Sequence, residues 1–224
     1  VFVVDSPGSR YVELQTGYFR SAAQAKHIQL VGGASVAMST RDFSSLAHTI
    51  QAAHPKPSAI FTALPPPFVD ELAAGLAAQG VSQTVIGTAA MDTPLTLSDR
   101  RESLNDAVLS SLGFPRSSTA ARRFASDYRR RFHSGPVGSF PELGLETMRL
   151  LANAARKAGS ADPRAIQRAL LGGITLRGVG LADRSYRAGG DHNPVGEVSV
   201  AKIASGSFVA LFAGIPGGAS GSRS

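Results

Sequence analysis

The stretch Ser58–Ala90, SAIFTALPPPFVDELAAGLAAQGVSQTVIGTAA, holds three segments in a telling order. SAIFTAL is a short apolar run of strand length. VDELAAGLAAQG repeats its apolar residues at helical spacing and ends on Gly80, placed to close the helix in the left-handed C′ role. TVIGTAA is a second short apolar run that ends in small residues. Strand, helix and strand in this succession make a βαβ unit, and such units build a parallel sheet with helices on both faces.

Working outward, the same alternation fills the first half of the chain. Val1–Val4 reads as a buried strand, and the turn-forming Asp-Ser-Pro-Gly leaves its C-terminal end. Arg10–Lys26 carries helical periodicity through Tyr11, Leu14, Tyr18, Phe19 and Ala22. A second strand is expected within IQLVGGASVAM, and STRDF then sets Ser39 or Thr40 ahead of a helix through Phe43, Leu46, Ala47 and Ile50. In open parallel sheets ligands sit beyond the C-terminal strand ends. Three loops qualify: Asp5–Tyr11, Leu64–Phe68 and Thr88–Thr93.

After AVLSSLGFP the pattern changes to three helical stretches, Thr119–Phe132, Phe140–Lys157 and Pro163–Leu171. Asp162-Pro163 is a helix start, with Asp as cap and Pro at the first position. The spacing predicts buried stripes through Phe124, Tyr128 and Phe132, and through Leu145, Met148, Leu151, Ala152 and Ala155. Both stripes need a partner surface. A Gly-rich region follows, read as a strand pair and a return strand near Val198–Ile203. SGSFV marks the turn before the last strand, and GIPGGASGSRS reads as a flexible tail.

Composition narrows the function. The 224 residues are 43% hydrophobic, enough for a core, and no apolar run reaches the roughly 18 residues of a membrane span. Without cysteine there is no disulfide and no thiolate zinc site. The net charge of +7 gathers at Arg122, Arg123, Arg129, Arg130 and Arg131. These fall on the solvated side of the aromatic stripe, and no nucleic-acid-reading motif accompanies them, so a nucleic-acid partner is not expected. GxSxG, HExxH, GxxxxGK[ST] and EF-hand patterns are missing from the sequence. None of His27, His48, His54, His133 and His192 has a second ligand at metal spacing, and GGDHNP reads as a turn. The expectation is a protein that is not an enzyme, with no catalytic residues, metal or cofactor.

The order of these motifs resembles a known family. Asp-Ser followed by Tyr11, then TRDFSSLAHTIQAAHPKPSAIF, AAGLAAQGVSQTVIGT, AARRFASDYRRRF, LETMRLLANAARKAGSADPRAIQRAL and GGDHNPVGEVSVAKIASGSFV run in sequence over residues 1–212. This is similar to the type I periplasmic solute-binding proteins of branched-chain amino-acid ABC transporters. The resemblance implies two α/β lobes joined by three crossings, with the ligand held between them. Residues 1–112 would form the second lobe. Residues 117–194 would cross back as helices and a hairpin toward the first lobe, 195–212 would return, and 213–224 would be the tail. Val1 would then correspond to the first strand of the second lobe, in a truncated form. The chain begins inside a core strand with no initiator Met and no signal segment, which is read as a cut.

The resemblance also implies site residues. Tyr11 matches the family's loop tyrosine, a ligand contact or a support of the strand–helix junction, with Ser6 beside it. Leu64 and Pro65 open the second loop, where Pro65-Pro66-Pro67 removes backbone donors and makes either a rigid connector or an apolar wall. In the third loop, with Thr88, the family carries an acidic residue that pairs the ligand's ammonium. Here Ala89 or Ala90 stands at that point and Asp92 follows. Phe140 sits where a hinge-side aromatic lines the cleft, or anchors its own helix. The implied role is solute capture for an ABC importer, outside the cytoplasm, in the periplasm or as a surface lipoprotein. Its partners are a small amphipathic solute and permease subunits, and a dimer through exposed apolar helices stays open. The alternative is a ligand-sensing regulatory domain of the same fold.

Overall fold

The computed structural model describes residues 1–97, 101–112, 119–176, 184–186 and 198–214. The alternation in the sequence becomes β1 (Phe2–Asp5), α1 (Arg10–Ala25), β2 (Gly32–Ser35), α2 (Ser44–Ala52), β3 (Ala59–Thr62), α3 (Phe68–Ala78), β4 (Thr84–Gly87) and β5 (Val108–Ser111). Three short 3₁₀ turns separate β4 from β5. Then come α4 (Thr119–Phe132), α5 (Phe140–Ala158), α6 (Pro163–Leu171), the antiparallel pair β6 (Ile174–Leu176) and β7 (Arg184–Tyr186), β8 (Val198–Ala204) and β9 (Ser207–Gly214). The GGDHNP turn and the tail from residue 215 lie outside the described residues. Residues 213 and 214, expected to begin that tail, belong to β9.

Seven strands form one sheet in the order β2-β1-β3-β4-β5-β8-β9. The pairs β1–β2, β1–β3, β3–β4 and β4–β5 are parallel. The return strand β8 pairs with β5, Asp106 and Ala107 exchanging backbone hydrogen bonds with Ile203. Ser205 and Gly206 both have positive φ, 49° and 71°, the backbone of a tight two-residue hairpin turn, and β9 becomes the outer edge. The mostly parallel α/β sheet with flanking helices is the expected fold class.

The chain divides into two compact units, one of Val1–Ser110 with Val200–Val209 and one containing α4–α6. In the first unit, β1 and β3 are buried along their length and carry the core with Leu72, Leu76 and Leu109. Phe19 of α1 stacks on Phe61 of β3, ring centroids 3.8 Å apart. Helix α1 turns Val12, Thr16 and Ala23 fully inward, a spacing of four and seven residues. Of the residues on the expected periodicity, Phe19 thus meets the sheet, whereas Tyr11, Leu14, Tyr18 and Ala22 are exposed, Tyr18 by 65%. Val12, Thr16 and Ala23, with the Phe19 ring, make the inward face, and the tyrosines are left exposed. Helix α2 also differs from expectation at its start. It begins at Ser44, and Asp42 accepts the Ser44 backbone N–H at 2.9 Å, in place of a cap from Ser39 or Thr40. That hydrogen bond, joined by the Ser44 side chain, holds the exposed Asp42 carboxyl below the usual carboxylate range.

In the second unit α5 packs on α6 and on β6. Asp162 caps α6 by accepting the Ala165 N–H at 2.8 Å, and Gly159 ends α5 at φ 61°. The inward face of α5 is Glu142, Glu146, Leu150 and Ala154. Of the predicted apolar stripes, Leu145 and Ala155 on α5 and Phe124 and Tyr128 on α4 are half-buried, while Met148 is 65% and Phe132 58% exposed and Leu151 and Ala152 are exposed. A helical period identifies a stripe; it does not say which of two candidate stripes meets the neighbour.

Two glycines test the packing. A Cβ on Gly75 of α3 would stand 2.3 Å from Cδ2 of the buried Phe43 ring, whereas one on Gly144 of α5 meets nothing within 4 Å. Gly75→Ala is expected to lose about 1–3 kcal/mol to overpacking, less the roughly 1 kcal/mol gained in helix propensity. Gly144→Ala keeps only that gain and is expected to stabilise. Urea denaturation of both variants reads the difference, and a stabilised Gly75→Ala would contradict the packing described here.

Candidate functional site

In the strand order β2-β1-β3-β4, the chain leaves β1 toward one edge of the sheet to form β2, crosses back past β1 to form β3, and continues toward the other edge to form β4. The connections after β1 and β3 therefore diverge, and a crevice opens between them at the C-terminal strand ends. Ser6–Arg10 and Leu64–Pro67 flank it. The loop after β4, Thr88–Thr93, adds the third wall.

One hydrogen bond joins the first wall to the third. The Tyr11 hydroxyl lies 3.0 Å from Thr88 Oγ1, linking residues 77 positions apart. Thr88 is buried and also caps the 3₁₀ turn Ala89–Met91, its Oγ1 accepting the Ala90 N–H at 3.4 Å. Tyr11 is 41% exposed, so its hydroxyl is tied down while the ring body stays accessible. Below this turn Gly87 leaves room for the fully buried Met91, whose Sδ would be 1.9 Å from any Cβ there.

The other sequence-predicted residues are placed as follows. Ser6 and Leu64 are buried at the ends of their strands. Leu64 meets Phe68, Met38 and Phe43 around a small depression between neighbouring loops. Pro65 is half-buried, and its carbonyl accepts the N–H groups of Phe68 at 3.0 Å and Val69 at 3.3 Å, satisfying the start of α3, which has no side-chain cap. Ala89 is half-buried in the 3₁₀ turn. Asp92 is 0% exposed, enclosed beneath the loop. Phe140, the first residue of α5, is 47% exposed and belongs to the second unit, apart from the other seven.

Sequence reasoning did not single out Arg10. It occupies the first position of α1, directly before Tyr11, is exposed, and has no ion pair among the described residues. Its place just after Ser9, whose hydroxyl accepts the Val12 N–H at 3.5 Å, was the available signal. A separate groove of about 620 Å³ runs along α4 and α5 within the second unit, lined by Phe124, Tyr128, Phe132, Arg123, Arg131 and Arg149. The aromatics there form a ladder, with Tyr128 and Phe132 centroids 4.5 Å apart.

Residues 1–207 match the family described as periplasmic binding protein. The chain belongs to that family. Solved structures of periplasmic binding proteins agree in fold at low identity. A leucine-binding protein from Thermotoga maritima superposes with a TM-score of 0.83 at 16% identity, over 96% of this chain and 60% of that one. A solute-binding protein of an ABC transporter from R. palustris, solved with benzoate, gives 0.77 at 13% identity, over 95% and 57%. A fatty acid ABC transporter substrate-binding protein from Thermomonospora curvata gives 0.71 at 18% identity, over 94% and 55%. This periplasmic binding protein thus spans about 60% of the length of such relatives. By their descriptions these relatives are solute-binding proteins, not enzymes. No curated protein matches the chain.

The Tyr11–Thr88 bond should register in stability. A double-mutant cycle of Tyr11→Phe and Thr88→Val is expected to give a coupling of about 0.5–1.5 kcal/mol, the worth of one part-buried hydrogen bond. Chemical denaturation measures it, and strictly additive variants would mean that the two hydroxyls do not hold the loops together.

Proposed function

We propose that the chain is the solute-binding component of an ABC importer. It works outside the cytoplasmic membrane, in the periplasm or at the cell surface as a lipoprotein, and delivers its solute to permease subunits. The Val1–Ser110 unit with Val200–Val209 acts as one lobe of a two-lobed site for a small amphipathic solute, amino-acid-like or an organic acid. The observation that carries this reading is the hydrogen bond between Tyr11 and Thr88, which fixes two loops of different strands at the switch point of a parallel sheet. Ser6, Tyr11, Leu64, Pro65, Thr88 and Ala89 form this lobe's wall, and Asp92 supports the third loop.

The outward apolar residues of α4 and α5, Phe132, Met148 and Leu151 among them, are assigned to contact with the sheet of the other lobe. Dimerisation through the same helices is the competing outcome, and sedimentation of the chain separates the two. A lobe that meets its partner sheet in the longer protein leaves a monomer here.

A ligand site normally buries about 70–90% of its ligand, and one lobe supplies roughly half of that contact. The 224-residue chain is therefore expected to bind weakly. Titration with amino acids and small organic acids, followed by amide NMR, should shift signals from Ser6–Tyr11, Leu64–Phe68 and Thr88–Thr93 only at high ligand concentration. Submicromolar binding by this chain would overturn the two-lobe reading, and shifts confined to other surfaces would overturn the site.

A further inference from the structure

The charge arrangement at the strand-end loops narrows the solute class, an inference that rests on the solute-binding reading above. The carboxylates of the first unit nearest these loops are already committed. Asp5 receives a hydrogen bond from Ser35 and lies 4.0 Å from Arg20. Glu13 accepts the Gly8 N–H at 3.0 Å, and Glu71 pairs with Arg41 at 3.1 Å. Asp70 and Asp92 are buried, at 5% and 0% exposure. The turn that follows β4 presents Ala89 and Ala90, with methyl groups only. An ammonium group taken out of water needs a carboxylate or several acceptors, since a desolvated unpaired cation is costly. To serve one, this lobe would have to break an ion pair, uncap a loop or expose a buried acid.

The opposite charge is free. Arg10 is exposed, unpaired among the described residues, and directly precedes Tyr11, whose hydroxyl reaches Thr88. A guanidinium presents its donors in a fork matched to a carboxylate. We propose that this lobe selects a carboxylic acid lacking an ammonium group, with Arg10 as the carboxylate's partner and Tyr11 as the apolar face beside it.

Three probes of one shape test this on the 224-residue chain: 4-methylpentanoate, 3-methylbutylamine and leucine, each titrated while amide shifts are followed. The acid is expected to move the Ser9–Tyr11 and Thr88–Ala90 signals at lower concentration than leucine, and the amine is expected to leave them in place. Arg10→Gln should weaken the acid by about tenfold, the loss of one charge-assisted hydrogen bond. Arg164→Gln, an exposed arginine of α6 in the second unit, should not change it. Leucine or the amine binding these loops more tightly than the acid overturns the inference and leaves the solute-binding reading standing. So does an acid whose binding is indifferent to Arg10→Gln. If none of the three moves the loops, the solute-binding reading falls and takes this inference with it.

Discussion

Strand β1 has a parallel neighbour on each edge, β2 through Phe2–Asp5 and β3 through Phe2–Val4, and its side chains are buried on both faces. That double demand orders the rest of the first unit. With β2 already on one edge, a further parallel neighbour of β1 can take only the other edge, so the crossover after β2 must run back past β1. The chain satisfies this by sending α1 to one edge and the α2 crossover to the other. The crevice is a by-product of that hydrogen-bond bookkeeping. Loops of low sequence complexity, such as Pro65-Pro66-Pro67, then line a place the sheet has already created.

Much of this was legible in the chain. The positions and types of α1–α6 follow from periodicity, and the Asp162 and Gly80 signals mark their ends. The faces were harder. For α1, α4 and α5 the larger apolar residues suggested the buried stripe, and in each helix that stripe is wholly or partly outward. Periodicity is measured along one helix, whereas burial is decided by the neighbour's contour. Where the neighbour is a flat sheet, Val12 and Thr16 fit and Tyr18 does not. Two acids, Glu142 and Glu146, are enclosed on α5, which a reading by apolar period does not anticipate.

The site shows the same division. Loops after strands can be found by counting, and Tyr11 and Thr88 both stand at the bounds of loops found that way. Their mutual hydrogen bond could not be, because it spans 77 positions and depends on the register of β1, β3 and β4. Asp92 illustrates the converse. In sequence a carboxylate in the third loop looks available, but the 3₁₀ turn Ala89–Met91 rotates it inward beneath the chain. Whether a loop carboxylate meets solvent depends on a single turn of backbone.

The hairpin at Ser205-Gly206 leaves β9 as the outermost strand, with one edge unpaired among the described strands. Its sequence, SFVALFAG, has no charge and no proline, and Val209, Leu211 and Phe212 are exposed. Natural sheets usually blunt such an edge with a lysine, a bulge or a covering element. Among the described strands this edge has no neighbour, and a short, uncharged, apolar strand of this kind can register another extended segment and stack into cross-β aggregates. An edge of this composition concentrates the tendency to self-associate in one strand, so what shields the rim of the sheet matters more than its remaining surface.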